Sequence, residues 1–277
     1  MLALLPDDPE WDVAHRVVAA AEYLRLRGGG GDDLLVAIHE NPDFVRTFVR
    51  EHTIQTNVVQ RCWALLPLFL SVVRERGRPV ELLELGCVAG LNLYWDRLQY
   101  AYRAGTWGPS NSLLLGGEER APVPGDLLDV EVEVRRRRGV DVRPLDVRVE
   151  DDMHLLDCFS FDETYRENAR RVAAVLRDDP PELIRGDYVE LLPELLADRD
   201  RAAVTIVFQT ISTIYLPLEK RLRVKQLLAA VPDVVFVETP TPEEHNLRGW
   251  QYPLAIDGRI VAEMGNGGDW LRWIGDA

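Results

Sequence analysis

Residues 80–98, Val-Glu-Leu-Leu-Glu-Leu-Gly-Cys-Val-Ala-Gly-Leu-Asn-Leu-Tyr-Trp-Asp-Arg-Leu, constrain the chain more than any other stretch. Val80, Leu82, Leu83 and Leu85 form a short apolar run, the composition of a parallel strand covered on both faces. Gly86 and Gly90 bracket a sharp turn. Beyond it Leu91, Leu93, Tyr94, Trp95, Leu98 and Tyr102 fall at roughly helical spacing, which predicts strand, glycine turn and helix. A helix starting there aims its unpaired N–H groups into the turn, where a ligand can sit. The bland alternative is a plain βα turn with no ligand.

Glycine spacing separates two cofactor classes. A dinucleotide fingerprint starting at Gly86 needs further glycines at positions 88 and 91, and the chain has Val88 and Leu91 there. Glu84, Gly86 and Gly90 instead resemble the acid-x-Gly-x-Gly-x-Gly loop of S-adenosylmethionine-dependent methyltransferases, with Val88 replacing the middle glycine. Small residues let a cofactor lie against the backbone, while an acidic group answers its cationic amino end. Cys87 and Asn92, in the same block, join Glu84, Gly86 and Gly90 as expected cofactor contacts.

With 277 residues and 47% hydrophobic content, the chain can bury the core of one large α/β domain, with or without an appendage. A net charge of -14 repels polyphosphate backbones, so no nucleic-acid partner is expected. The basic run Arg135 to Arg138 follows Glu131 and Glu133 and reads as a solvated strand or hairpin end. The N-terminus lacks the basic and apolar segments of a signal peptide, and no apolar run reaches membrane-spanning length. A cytoplasmic protein without a membrane partner is therefore expected. Cys62, Cys87 and Cys158 stand far apart, and His15, His39, His52, His154 and His245 show no metal-ligand spacing, so neither disulfides nor a metal site is expected.

The first 79 residues read as helical and are expected to form a cap beside an α/β domain spanning 80–277. Segments 10–27, a short helix capped by Asp32 or Asp33, another opened by Pro42, and a longer one over about 55–76 carry the pattern. Pro67 is expected to kink or split the last. Within it Gln55, Thr56, Asn57 and Arg61 set hydrogen-bonding groups and one guanidinium just ahead of the apolar stretch Cys62 to Leu66. Ligand contact and simple helix capping both account for them.

Two blocks in order, Thr-Ile-Gln-Thr-Asn-Val-Val-Gln-Arg-Cys-Trp-Ala-Leu-Leu-Pro and Leu-Glu-Leu-Gly-Cys-Val-Ala-Gly-Leu-Asn-Leu-Tyr-Trp-Asp-Arg, resemble an uncharacterised bacterial family with a methyltransferase-like core. That family carries a domain-of-unknown-function label. Its pattern is similar to Gln-Thr-Asn-Glu-x-x-Arg-Cys followed by Ser-Ala-Gly-Leu-Asn-Leu, from which this chain departs at Val58 and Val88. The resemblance implies a Rossmann-like methyltransferase sheet, mostly parallel with a C-terminal antiparallel hairpin, and S-adenosylmethionine as cofactor. It supplies no substrate.

Methyltransferase sheets end their second strand in an acid that takes the ribose hydroxyls. Asp141, in Gly-Val-Asp-Val-Arg-Pro-Leu-Asp, matches that position, with Asp146 as the alternative. Either could equally be a turn or cap residue. Residues 101–130, rich in Gly and Pro, read as an insertion looping over one face, residues 129–134 as a hairpin arm, and 150–176 as a helix. Asp187, in the Gly-Asp turn reached by a short strand within 183–188, takes the adenine-amino role by resemblance, or caps the helix that follows. The strand 202–208 ends at Gln209, Thr210 and Ser212, the carboxyl end where a ligand crevice opens. Gln209 is expected to face cofactor, and Gln55, Asn57, Arg61 and Tyr215 a small-molecule acceptor. A helix over 217–230, a strand at 234–238 and a hairpin at 258–273 complete the reading. The expected function is methyl transfer from S-adenosylmethionine to a small molecule; the alternative is a non-catalytic ligand-binding or regulatory protein on the same fold.

Overall fold

The apolar run at 80–85 becomes the middle of a sheet in the structure, a computed structural model whose described residues are 12–29, 33–241 and 251–275. Strand β1 (Val80–Leu85) is buried along its whole length and pairs in parallel with β6 (Val134–Asp141) on one side and β8 (Val204–Gln209) on the other. β7 (Glu182–Arg185) extends the sheet beyond β6, and β9 (Val234–Glu238) beyond β8, both in parallel. Outside β9 the direction reverses. β10 (Gln251–Ile256), β11 (Arg259–Gly265) and β12 (Trp270–Trp273) are antiparallel neighbours, and β5 (Glu118–Ala121) closes that edge parallel to β12. Among the described residues the nine strands run in the order β5-β12-β11-β10-β9-β8-β1-β6-β7. The result is an α/β fold with a mostly parallel centre and antiparallel C-terminal strands. The expected hairpin at 258–273 is β11 with β12; β10, ahead of it, makes the antiparallel part a three-stranded meander.

Helices α1 (Val13–Leu26), α2 (Leu34–Glu40), α3 (Pro42–Glu51) and α4 (Arg61–Arg76) precede the sheet. Asp33 caps α2, its carboxylate accepting from the N–H groups of Leu35 and Val36. Asp32, the other capping candidate, lies outside the described residues, as do His245 and the N-terminal stretch 1–11. α4 begins at Arg61 rather than near Gln55, because long-range bonds claim the residues ahead of it. Asn57 accepts from Leu91 N–H, and the Gln60 amide donates to the carbonyls of Gly116 and Gly268. Pro67 stays inside α4 without ending it: the helix is buried from Arg61 to Leu70, and packing on both sides outweighs the missing hydrogen bond. Side chains of α1, α3 and α4 share one apolar core with β1 and β8.

Three expectations are corrected. After Gly90 the chain forms a 3-10 segment, Leu91–Arg97, with Tyr94 off helical geometry, and not a regular helix. Tyr100 and Tyr102 follow the alternation of a strand, and β2 (Gln99–Tyr102) pairs with β3 (Gly105–Trp107) and β4 (Leu114–Gly116). Aromatic packing decides it: Trp95 stacks on Phe69 at 4.7 Å and on Trp107 at 5.8 Å, and Tyr100 Oη donates to the Trp95 carbonyl. The insertion at 101–130 is consequently a small sheet plus β5, not a loose loop. Residues 150–176 form two helices, α5 (Glu150–Cys158) and α6 (Glu163–Leu176), since Asp162 caps α6 afresh by accepting from Thr164 and Tyr165 N–H.

The basic run also differs from expectation. It lies within β6, a central strand, and not at a solvated hairpin end; residues 129–133 ahead of it form no strand. Arg135 and Arg136 reach Glu133 and Glu182, Arg137 reaches Asp96, and the fully buried Arg138 lies 3.5 Å from Glu81. α7 (Tyr188–Ala197) and α8 (Leu218–Ala229) cover the opposite face of the sheet with a second apolar cluster. Among the described residues no helix is long and apolar enough to cross a membrane.

At the junction of β6 with the glycine turn, a Cβ on Gly139 would lie 2.6 Å from Cys87 Sγ and 2.7 Å from its Cβ. Gly139→Ala should therefore destabilise the protein by about 1–3 kcal/mol in denaturant unfolding. Gly116→Ala, whose new methyl would sit 3.8 Å from Ala101 Cβ, should cost far less.

Candidate functional site

Because β7, β6, β1, β8 and β9 run in one direction, their carboxyl ends share an edge, and the strand order reverses between β1 and β8. Ligands of open α/β sheets bind outside such an edge, at the reversal. Here the fold brings together the turn after β1, Asp141 at the end of β6, Asp187 after β7, and residues 209–212 after β8.

The turn is built from left-handed backbone. Gly86 and Gly90 have φ of 71° and 70°, natural for glycine, but Val88 between them has φ of 52°. A β-branched residue there stores strain of order 1–3 kcal/mol. Asp141 holds it in place: one carboxylate oxygen accepts from Val88 N–H at 3.0 Å and the other from Arg143 N–H at 2.9 Å. The Val88 carbonyl in turn accepts from Leu145 N–H. Asp146, the alternative acid, pairs with Arg148. The space that the glycines leave open is taken by protein. A Cβ on Gly86 would lie 2.5 Å from Ser212 Cβ, and one on Gly90 would lie 3.0 Å from both Leu183 and Pro181 side chains. Ser212 Oγ also donates to the Leu85 carbonyl at 2.7 Å.

Beneath the turn sits a buried polar relay. Glu84 is 1% exposed; its Oε1 accepts from the Asn92 amide at 3.1 Å, while Oε2 has no hydrogen-bond partner among the described residues. Cys62 Sγ lies 3.4 Å from Asn92 Oδ1. Burial pushes the Glu84 carboxyl well above its ordinary range, the Asn92 hydrogen bond opposes this, and the charge of Asp141 adds to it. Burial likewise raises the thiols of Cys62 and Cys87, with Glu84 reinforcing both, which keeps them neutral and unreactive. Asn57 Oδ1 accepts from Leu91 N–H, so the 55–61 segment closes directly over the turn. Gln55 is buried there too, its amide bonded to Thr53 and its carbonyl oxygen unpaired among the described residues.

Arg61 lies at the same edge. Its Nε donates to the Asn266 carbonyl at 2.8 Å and its Nη1 to the Thr210 carbonyl at 3.4 Å, joining α4 to the end of β8 and to the β11–β12 turn. Tyr215, 47% exposed, acts on Arg61 electrostatically, as do Tyr252 and Tyr165. Two other candidates have structural occupations. Gln209 is buried, with its amide donating to the Thr239 carbonyl at 2.9 Å, which turns it into the sheet and not toward a ligand. Asp187 caps α7 through Val189 N–H and pairs with Lys220 at 2.6 Å; burial works against its charge, but these partners hold its pKa below the usual range. Among the described residues no group of three or more His, Cys, Asp or Glu could hold a metal ion. Neither Tyr165, which reads as an apolar helix position, nor Tyr252 is a site candidate from the sequence. They sit more than a hundred residues from Arg61, with no motif to link them.

A family model described as "uncharacterized protein conserved in bacteria (DUF2332)" matches residues 12–273. The chain belongs to the DUF2332 family. Two solved structures of WbdD, titled as a bifunctional kinase-methyltransferase and as its complex with the kinase inhibitor LY294002, are similar to this DUF2332 chain at 14% and 15% identity. Their TM-scores are 0.36 and 0.35, over 73% and 72% of this chain. The chain spans 36% and 37% of those proteins' length. No curated protein sequence matches it.

The Glu84 environment sets a sign for pH dependence. A carboxyl whose folded pKa lies above its unfolded one holds a proton in the native state that the unfolded chain has released. Stability then falls, by about 1.4 kcal/mol per pH unit from this group, as pH rises from the unfolded pKa to the folded one. Glu84→Gln should flatten that decline in urea unfolding between pH 5 and 8, and match wild type most closely at the acid end.

Proposed function

We propose that this chain is an S-adenosylmethionine-dependent methyltransferase acting on a small molecule at the carboxyl edge of its sheet. The observation that carries the reading is Glu84 Oε2, a buried carboxyl oxygen without a partner among the described residues, under a glycine turn at the point of strand reversal. A cofactor with a cationic amino end supplies what that oxygen lacks. The donor set fits on this side: Glu84 would answer the ammonium, and Asp141, at the end of the neighbouring strand, would face the ribose.

When bound, S-adenosylmethionine supplies an electrophilic methyl group; the chain's residues position and desolvate. Asn92 fixes the Glu84 carboxyl from one side, and Asp141 fixes the turn against which the cofactor would lie. Arg61, Tyr215 and the 55–61 segment stand where an acceptor would approach. Transfer of this kind depends chiefly on proximity and in-line alignment, so no nucleophile or dedicated base is required of the protein unless the acceptor arrives protonated.

A second reading, a non-catalytic ligand-binding or regulatory protein, is favoured by a specific observation. The room left by Gly86 and Gly90 is filled by Ser212, Leu183 and Pro181.

Calorimetric titration separates the two. The first reading expects micromolar binding of S-adenosylmethionine and S-adenosylhomocysteine, weakened about tenfold or more in Glu84→Gln, with NADH giving no heat. It also expects proton release: a cation placed on Glu84 lowers its raised pKa, so affinity should climb with pH and the enthalpy should differ between phosphate and Tris buffers. Absence of binding to folded wild type selects the second reading.

A further inference from the structure

Arg61 is a buried cation that has no counter-ion among the described residues. It is 7% exposed, and among the described residues no carboxylate comes within ion-pair distance of it. Its two hydrogen bonds go to neutral carbonyls. One of them, at 3.4 Å from Nη1, is long, and Nη2 has no hydrogen-bond partner among the described residues. Burial pulls its pKa down to about 10, which still leaves it charged at neutral pH. The surface of this acidic protein has carboxylates to spare, and three of its other buried arginines use them: Arg16 pairs with Asp12, Arg166 with Glu22, and Arg138 with Glu81. An uncompensated buried charge costs several kcal/mol, so Arg61 stands apart.

The surroundings of Arg61 are polar without being anionic. Tyr252, Tyr215 and Tyr165 lie near enough to Arg61 to act on its charge once they ionise. Tyr165 is held against the β11–β12 turn, where its hydroxyl would collide with a Cβ on Gly267, beside the Asn266 carbonyl that accepts from Arg61 Nε. Gly268 packs on the Arg61 backbone, where a Cβ would lie 2.7 Å from its Cα. The guanidinium is therefore fixed chiefly from its Nε side, with one long bond from Nη1 to Thr210, which leaves Nη2 and the second Nη1 hydrogen for a ligand.

We infer that Arg61, rimmed by Tyr165, Tyr215 and Tyr252, is the binding site for the carboxylate of a small organic acid. The inference rests on the proposed function only in identifying that acid as the methyl acceptor. A carboxylate matches the two-nitrogen edge of a guanidinium, and its single negative charge neutralises the single positive one. A phosphate dianion would leave an excess charge buried in a strongly acidic protein. Phenolic hydroxyls add donors to the carboxylate oxygens, and their rings suit an apolar or aromatic body behind it.

The test is isothermal titration of the full chain with benzoate, without nucleoside, and with inorganic phosphate in a parallel arm at matched ionic strength. Millimolar or tighter binding of benzoate is expected, weakened about tenfold in Arg61→Gln and about threefold in Tyr252→Phe, which keeps the ring and removes only the hydroxyl. Absence of benzoate binding to folded wild type, equal binding by the Arg61→Gln protein, or phosphate binding more tightly than benzoate would each overturn the assignment. Should Arg61→Gln fail to fold, the Tyr252→Phe titration decides, and unchanged affinity there counts against the site. Because no nucleoside is present, failure here leaves the cofactor titration standing, and failure of that titration leaves this one standing.

Discussion

The hydrogen bonds from Val88 and Arg143 to the Asp141 carboxylate hold the carboxyl edge of the sheet in shape. Each such bond to a charged group contributes about 1.5–3 kcal/mol, enough to offset the backbone strain at Val88. With the turn fixed, Gly86 can approach Ser212, Gly90 can receive Leu183 and Pro181, and Leu91 can donate to Asn57. β1, β6, β7, β8 and the 55–61 segment are thereby tied to one five-residue bend. Asp141 is both the strand-end acid that a methyltransferase would use for ribose and the bracket that keeps the turn left-handed.

Polar groups are placed on the two faces of the sheet according to different rules. On the α7–α8 side, Arg138 and Glu81 meet inside the protein, and Glu81 also accepts from Thr205 Oγ1 and Asp200 N–H. That network is compensated in charge, with Arg138 Nε alone of its donors lacking a hydrogen-bond partner among the described residues. On the α4 side, among the described residues, Glu84 keeps an oxygen unpaired and Arg61 meets no carboxylate, both near the carboxyl ends of β1 and β8. Desolvated groups left without partners are costly, and these two lie where the proposed ligands would bind. The two are of opposite charge preference, which suits a ligand set that is cationic at Glu84 and anionic at Arg61.

Much of the fold was legible because it rests on local regularities. The buried strands 80–85, 204–209 and 234–238, the cap at Asp33, Pro42 opening α3 and the C-terminal hairpin all follow from apolar runs, capping chemistry and glycine placement. Failures came where two periodicities overlap. Leu98, Tyr100 and Tyr102 satisfy the spacing of a strand, while Leu91, Leu93, Tyr94, Trp95 and Leu98 loosely satisfy that of a helix; stacking of Trp95 between Phe69 and Trp107 settles the choice, and those partners are distant in sequence. Likewise Arg135 to Arg138 look solvated until β6 is seen to run between β1 and β7, with acids from both sides and from the helices.

By itself the sequence determined the strand-glycine unit at its centre, the acids Glu84 and Asp141 beside it, and the polar block from Gln55 to Arg61, because each is written in contiguous residues with local spacing. Only the tertiary structure decided what each group touches. It turned Gln209 inward to Thr239, made Asp187 a helix cap paired with Lys220, packed Ser212 into the space of Gly86, and gathered Tyr165, Tyr215 and Tyr252 around Arg61. The physical reason is that hydrogen-bond saturation and charge compensation are properties of neighbours in space. A strand's period says which residues are buried, and it says nothing about which buried atom is left without a partner.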